Sequence, residues 1–498
     1  MLRFAFPSPV QGRDRGPFRR SVAFGQAHVA MTTEAASFDQ SPITICPLSL
    51  ESPESLAESA ERHGMPRLDE FLDHIRVLHA GEEEHYGRRY QREIIQNGEF
   101  RLPSPFSGQF VSSTRSYLIK NKVFYRFDDS PEFFVLASRV SRGYPLSGIF
   151  VPAAQLMVLW DLTQDRNITR DLESLNIAIQ HTARGTSRRD RRVAIVMGNS
   201  NFAHHLWNEL PALEQLLASG IPAVPPEIIM RREPLGPIDS IFPEIAKWKI
   251  HRRPLAEIPD ALYVKLGSYR ISVRVRNRLL AYARGQVSSE IALLIQRIRS
   301  LAGPVFWLSV RLPRPTLENQ REALLAVCQR LLNCNGRCCI LFDGFSLPED
   351  WSTADPTHVE DYRNAAEASR REIEELIGQV SRFVRHSQLV VNVGGIRLLD
   401  SIALAELVDA YFCHSGSIQH KIAWTANKPG IVHGARRALR SDVATWHSER
   451  LEGAEPPLPI PVSMIEDVRD EEREYNYRAH SWAVARFVAN YFSYHVRH

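Results

Sequence analysis

From about residue 190 to residue 435 the chain repeats one unit, a short apolar run followed by a segment of helical period. The runs are VAIVM (193–197), EIIM (227–230), ALYVKL (261–266), PVFWLSV (304–310), CILF (339–342), QLVVNV (388–393), DAYFCH (409–414) and PGIVHG (429–434). They do not alternate apolar with polar residues, so each reads as a strand covered on both faces. Between them lie helical stretches such as SSEIALLIQRIRSLAG (288–303) and NQREALLAVCQRLLN (319–333). Helices that connect strands and also roof them give a parallel sheet wound in both directions. Two such series follow one another. The expected fold is α/β, with two Rossmann-like domains, residues 186–300 and 301–445, facing a crevice.

The flanking segments have a different texture. Residues 41–185 read as an α+β region: a helix over 68–81, then the strand-like runs SYLI, KVFYRF, EFFVLA, GIFVP and LMVLW, separated by turn residues. After residue 445 a Pro-rich linker, GAEPPLPIPVS, leads into DEEREYNYRAHSWAVARFVANYFSYH. That stretch reads as one long helix with an apolar stripe at Val484, Phe487, Val488, Tyr491 and Phe492. Residues 446–498 are expected to return to the N-terminal domain. Residues 1–40 are rich in Arg, Gly, Ser and Pro and lack the continuous apolar core of a secretory signal, so they are expected to be disordered. Met31 reads as a plausible true start.

Composition narrows the function classes. At 498 residues the chain is too long for one ordinary core, and 44% hydrophobic with 24% charged residues is the balance of a soluble globular protein. No apolar run is long enough to span a bilayer. The net charge of +4 is spread along the chain, so no nucleic-acid footprint is expected. Cys328, Cys334, Cys338 and Cys339 crowd one stretch but lack a CxxC pair. They read as small buried residues in a reducing compartment, not as a zinc site. The expected location is the cytoplasm, with peripheral contact at the inner face of a membrane left open by the basic N-terminus. Oligomeric state is not read from the sequence.

Three sites sit at the C-terminal ends of expected strands, where open α/β sheets bind ligands. The first is GNSNFAHHLWNELPAL (198–213). Asn201 is placed to cap a helix, and His204 and His205 fall in its first turn. His204 is a candidate proton acceptor, and Glu209, the i+4 neighbour of His205, is a second. The second is HSGSIQHK (414–421), in which His414, Ser415, Gly416 and Ser417 precede a helix and Lys421 follows one turn on. Free N–H groups and hydroxyls there suit an anion. The third is SVRLPRPTLEN (309–319), where Arg311 and Arg314 offer planar donor forks at the sheet mouth. Each also admits a structural reading: an ordinary cap, a core imidazole, surface arginines. Asp343 reads as a turn residue.

Asn201-Phe202-Ala203-His204 with Leu210-Pro211, the turn from Trp307 to Arg311 with Arg314, Glu318 and Asn319, and the late turn His414-Ser415-Gly416-Ser417 together resemble motifs of the family 61 glycosyltransferases. The resemblance covers roughly residues 190–435. It departs at Asn208, where the family usually has an acid, with Glu209 one place later, and at the late turn, which lacks the second Gly. It implies the two-domain arrangement called GT-B, a nucleotide-diphosphate sugar as donor, inversion at the anomeric carbon and no obligatory metal or cofactor. It also implies a glycan or lipid-linked glycan acceptor. On this reading Arg311, Arg314, residues 414–417 and Lys421 hold the diphosphate, and Asn201, His204 and Glu209 serve the acceptor. The alternatives are a non-catalytic scaffold binding glycan or sugar nucleotide on the same fold, and a sugar-nucleotide epimerase or phosphorylase.

Overall fold

Every residue of the strands Val305–Ser309, Cys338–Asp343 and Ala410–His414 is buried, as strands roofed on both faces must be. In the computed structural model they form the centre of a six-stranded parallel sheet. Its order is Gln388–Asn392, Cys338–Asp343, Val305–Ser309, Ala410–His414, Gly430–His433 and Leu458–Pro459. Counted along the chain the strands lie as 3-2-1-4-5-6, the doubly wound order. The winding reverses between Val305–Ser309 and Ala410–His414, and a cleft opens beyond their C-terminal ends. The structure describes residues 43–48, 60–79, 88–160, 167–182, 192–220, 224–252, 261–312, 317–440, 443–468 and 476–496. The expected disorder of residues 1–40, the reading of Met31 and the site residue Arg314 lie outside these.

The N-terminal half follows the same logic on a smaller scale. Its four-stranded parallel sheet runs Ile250–His251, Glu227–Met230, Val193–Met197, Leu262–Lys265, so it too reverses, beside Val193–Met197. The fold is therefore α/β with two Rossmann-like sheets, as the sequence predicts. The strand-like runs of the first region form an antiparallel meander, Arg115–Ile119, Lys122–Phe127, Phe133–Ala137, Leu146–Val151 and Leu156–Leu159, joined by Thr44–Pro47. The meander meets the parallel sheet through a hydroxyl. Ser116 Oγ donates to the Tyr263 carbonyl at 3.1 Å and accepts from the Tyr263 N–H at 2.7 Å. Cys328, Cys338, Cys339 and Cys413 are buried and free, and burial pushes the Cys338 and Cys339 thiols up to about 12.

The chain terminus departs from expectation. The last helix begins at Ser481, after a short strand Tyr477–Ala479. It packs on helix Gln320–Cys334 of the C-terminal half and does not return to the N-terminal half. The reason is local. Val484, Val488 and Phe492 are fully buried, and the Phe492 ring stacks on Phe306 at 5.1 Å. Asn319 clasps the helix entry, donating to the Ala479 carbonyl at 2.9 Å and accepting from its N–H at 3.0 Å. The returning piece lies earlier. The Ile271 N–H donates to the Arg450 carbonyl at 2.8 Å, and the Glu452 N–H donates to the Ile271 carbonyl at 3.0 Å.

The turn after Val193–Met197 is fixed by Gly198 and Glu209. Gly198 has φ +97°, and a Cβ there would fall 2.3 Å from the Arg232 nitrogen, so only glycine fits. Glu209, 2% exposed, accepts from the N–H groups of Gly198 at 2.9 Å and Asn199 at 3.0 Å, and bonds His205 Nδ1 at 2.6 Å. Burial pushes its pKa up, but the His205 bond, the nearby Lys265 charge and the Asn199 N–H together hold it below the ordinary carboxylate value. A carboxyl held low in the folded state stabilises above its unfolded pKa of about 4.3, and that stability is lost as pH falls through the folded value. Glu209→Gln is therefore expected to lower unfolding stability by about 2–3 kcal/mol at neutral pH. The gap from the unsubstituted protein should close as pH drops below about 4.3, as read by denaturant titration at several pH values.

Candidate functional site

A cavity of about 440 Å³ occupies the cleft at the reversal of the C-terminal sheet, lined by Arg311, Gly344, Phe345, Tyr362, His414, Ser415, Gly416 and Ser417 on one side and by Ser200, Asn201 and Phe202 on the other. Arg311 leaves strand Val305–Ser309 two residues past its end. Its backbone N–H is tied to Gln320 Oε1 at 2.8 Å, and its Nη1 lies 2.7 Å from His414 Nδ1 and 2.8 Å from Nε2. Burial, then the neighbouring His433 and Arg311, drive the His414 pKa far below the ordinary imidazole value. His414 is therefore a neutral acceptor. Among the described residues no carboxylate stands within ion-pair distance of Arg311, and burial lowers its pKa as well. A half-buried guanidinium without a counter-charge suits an anion in the cavity.

The late turn shapes the same wall. Gly416 has φ +131° with open space where a Cβ would point, so the backbone conformation, not crowding, requires glycine there. No side chain caps helix Ser417–Ala423, and Ser417 is exposed. Lys421 corrects the sequence reading. It is 2% exposed, and its ammonium is consumed by Asp343 Oδ1 at 2.7 Å, the Gly344 carbonyl at 2.8 Å and Ser346 Oγ at 2.9 Å. With its three donors used, it fixes the 343–346 loop; it also lines the cavity, with its charge offset there by Asp343. Asp343 is fully buried, and burial lifts its pKa to about 6 despite Lys421.

A second cavity, of about 380 Å³, shares Gly416 and Ser417 with the first and is lined also by Arg142, His204, Trp207, His420, Trp424 and Arg450. His204 enters it from a helix that opens at Asn201, whose Oδ1 accepts from the Ala203 N–H at 3.0 Å. The helix widens into a π-helical turn at His205–Glu209. Pro211 lacks the N–H that would bond the carbonyl four residues back, which accounts for the widening. Two i, i+4 pairs result, facing opposite ways. His205, fully buried, turns inward to Glu209. His204 Nδ1 meets Asn208 Oδ1 at 3.0 Å.

Asn208 sets the state of His204. Its Nδ2 donates to the Ser268 carbonyl at 2.6 Å, which assigns Oδ1 as the atom facing His204. His204 Nδ1 must then carry the proton, leaving Nε2 as the lone-pair nitrogen. The ring is held parallel to Trp207, with centroids 5.8 Å apart, and Trp207 is itself pinned by its Nε1 donating to the Tyr269 carbonyl at 2.6 Å. Across the cavity His420 stacks on Trp424 at 3.5 Å.

The expected residues therefore divide. His204 lines the second cavity, and Arg311 and His414 the first, with Asn201 at its opposite wall. Ser415 lines the first cavity, and Gly416 and Ser417 line both. Glu209 lines neither and is saturated by its donors, so it acts as a structural lock and not as a proton acceptor. Asn208, Trp207 and Tyr362 were not anticipated. Asn208 carried a usable signal, its i+4 spacing from His204. Tyr362 carried none, lying within the long helix Pro356–Val380. It joins Arg232 in a clamp between the halves: Arg232 bonds Asp350 at 2.6 Å and 2.9 Å and the Tyr362 hydroxyl at 3.2 Å. Among the described residues no group of three or more His, Cys, Asp or Glu is placed to hold a metal ion, and no helix is long and apolar enough to cross a membrane.

No protein-family model and no curated protein sequence matches the chain. Solved structures do resemble it. A family 9 glycosyl transferase from Veillonella parvula shares 10% identity, with 69% of this chain and 81% of that one covered at a TM-score of 0.25. The E. coli heptosyltransferase WaaC with ADP-2-deoxy-2-fluoro heptose shares 11%, with 54% and 94% covered at 0.28. An α,α-trehalose 6-phosphate synthase from Burkholderia multivorans shares 14%, with 65% and 68% covered at 0.26. These likenesses are low, and the architecture rests on the strand order and connections themselves.

Proposed function

We propose that the protein is a glycosyltransferase of GT-B type, in the manner of family 61, moving a sugar from a nucleotide-diphosphate donor to a hydroxyl of a glycan-type acceptor with inversion. The observation that carries this reading is the turn at Gly416 and Ser417, which lines two cavities, one holding Arg311 and the other holding His204. The donor diphosphate lies against Arg311 and the turn, with Phe345 and Tyr362 at its far side. The acceptor hydroxyl lies at His204. Nε2 takes the hydroxyl proton, the oxygen bonds the anomeric carbon, and the bond from that carbon to the β-phosphate oxygen breaks. The electron pair leaves on the nucleoside diphosphate, whose charge meets Arg311. Asn208 keeps Nδ1–H in place throughout. No obligatory cofactor or metal is assigned a part. A peripheral membrane acceptor fits the same chemistry.

Asn208 in place of an acid favours one alternative, a non-catalytic protein that binds sugar nucleotide or glycan on the same fold. His204→Ala separates the two. It is expected to cut transfer about a hundred- to ten-thousand-fold while leaving nucleoside-diphosphate binding unchanged by calorimetry. Transfer near the unsubstituted rate would remove the base assignment, and a protein that neither transfers nor hydrolyses any sugar nucleotide would be the scaffold. Arg311→Gln is expected to weaken nucleoside-diphosphate binding roughly ten- to hundred-fold, the size of one charge-assisted hydrogen bond. Asn208→Asp tests the positioning role. A carboxylate beside Nδ1–H favours the imidazolium, so the acid limb of the kcat profile should move to higher pH, a change that a loss of packing would not produce.

A further inference from the structure

The second cavity is built by four separate parts of the chain. Arg142 comes from the first region, at the end of the turn Val140–Arg142. His204 and Trp207 come from the N-terminal half, His420 and Trp424 from the C-terminal half, and Arg450 from the last turn of helix Val443–Arg450, beside the strap that pairs with Ile271. Among the described residues that line it there are two arginines and no Asp or Glu. Burial, then His447 and His204, drive the His420 pKa far below the ordinary value, and Asn208 holds His204 with a bare Nε2.

The two arginines are differently placed. The Arg450 guanidinium lies 5.2 Å from the Trp207 ring centroid, on the same indole that positions His204. It also stands 3.5 Å from Oε2 of Glu449, an exposed side chain that does not line the cavity. Arg142 is exposed, and among the described residues no carboxylate stands within ion-pair distance of it. Both line the cavity, Arg450 against the indole that positions His204 and Arg142 exposed to solvent.

We propose that this cavity is the acceptor subsite and that the acceptor carries a negative charge, a phosphate or a carboxylate, close to the hydroxyl that reacts. Two guanidinium forks suit a phosphate diester or a uronate equally well, because both present paired oxygens. The inference rests on the transfer reading for the word acceptor, but the charge selectivity of the cavity is independent of it. It also gives the first region and the strap a function: each supplies one arginine that neither Rossmann-like sheet provides.

The test uses the full chain and three small probes, sn-glycerol 3-phosphate, glucuronic acid and glucose, with binding read by calorimetry. The unsubstituted protein is expected to bind at least one of the two anionic probes and to bind glucose at least tenfold more weakly. Arg142→Gln and Arg450→Gln should each weaken the anionic probe at least tenfold and leave nucleoside-diphosphate affinity unchanged. Arg311→Gln should leave the anionic probe bound, which places it in this cavity and not in the donor cavity. Which anion binds decides between a phosphate-bearing and a uronate-bearing acceptor. Equal or tighter binding of glucose, no binding of either anion, or anion binding lost with Arg311 and kept in both other variants would overturn the proposal. Arg142, being exposed, keeps the test valid if Arg450→Gln fails to fold. Absence of nucleoside-diphosphate binding would sink the transfer reading alone, while the probe results would still decide the charge of this cavity.

Discussion

The reversal of winding beside Val305–Ser309 is the constraint on which the site depends. A strand buried on both faces must be followed by a helix that roofs one face, and the side chosen for that helix fixes where the next strand can pair. Because the first three strands of this sheet wind one way and the next three the other, the loops after Val305–Ser309 and Ala410–His414 diverge. Backbone that would otherwise be covered is left open there, with Arg311 on one loop and Ser415 to Ser417 on the other. The smaller sheet reverses beside Val193–Met197 in the same way, which is why the turn at Gly198 and the helix carrying His204 stand at its own open edge. Opposed reversals, held by the Arg232–Asp350–Tyr362 clamp, put two open edges face to face.

Electrostatics then decides which groups remain available. Charges at such edges are expensive to bury without a partner, and most here have one. Lys421 is closed by Asp343, and Glu209 by His205 and two N–H groups. Lys265, whose pKa burial lowers to about 8, lies over the Tyr144 ring at 4.8 Å. Their role is to hold loops at fixed positions. Arg311 is the exception in the first cavity, since its bonded neighbour His414 is neutral and offers a lone pair without a charge. A cation solvated by a neutral imidazole keeps its full charge for a ligand, and its direction is fixed as well.

Much of the architecture was legible in the sequence because it follows from local periodicity. The apolar runs became strands, the helical segments became helices, and the meander of the first region followed its turn residues. What could not be read depends on pairs distant in the chain. Lys421 read as a charge available to the diphosphate because nothing near it in sequence announces Asp343. The last helix has an apolar stripe that would suit either half, and the choice is made by Phe306 and Asn319, which lie far upstream. Its start was misplaced because Tyr477–Ala479 pairs with Ile465–Asp467 as a strand, which helical period alone does not disclose. In the site itself, Asn201 and His204 were visible from position in the first turn. Asn208 offered only its i+4 spacing from His204, and the role of Glu209 was not visible, because a regular helix gives no reason for adjacent i, i+4 pairs to part.

That parting also explains why an amide, and not an acid, stands beside His204. Glu209 needs nearly all the positive potential that this buried turn offers: two N–H groups, His205 and the nearby Lys265. A second carboxylate at residue 208 would face His204 Nδ1–H, but it would sit one residue away on the same turn and leave the Ser268 carbonyl without the donor that Asn208 now supplies. Like charges so close raise each other's pKa. The neutral amide avoids that conflict. It satisfies the Ser268 carbonyl with one end and fixes the His204 tautomer with the other. In exchange, the imidazolium formed when His204 accepts a proton gains a hydrogen bond but no counter-charge. On the proposed mechanism such a base is best matched to an acceptor whose own charge lies nearby, and Arg450 over Trp207 and Arg142 in the same lining would hold that charge without putting an acid against the ring.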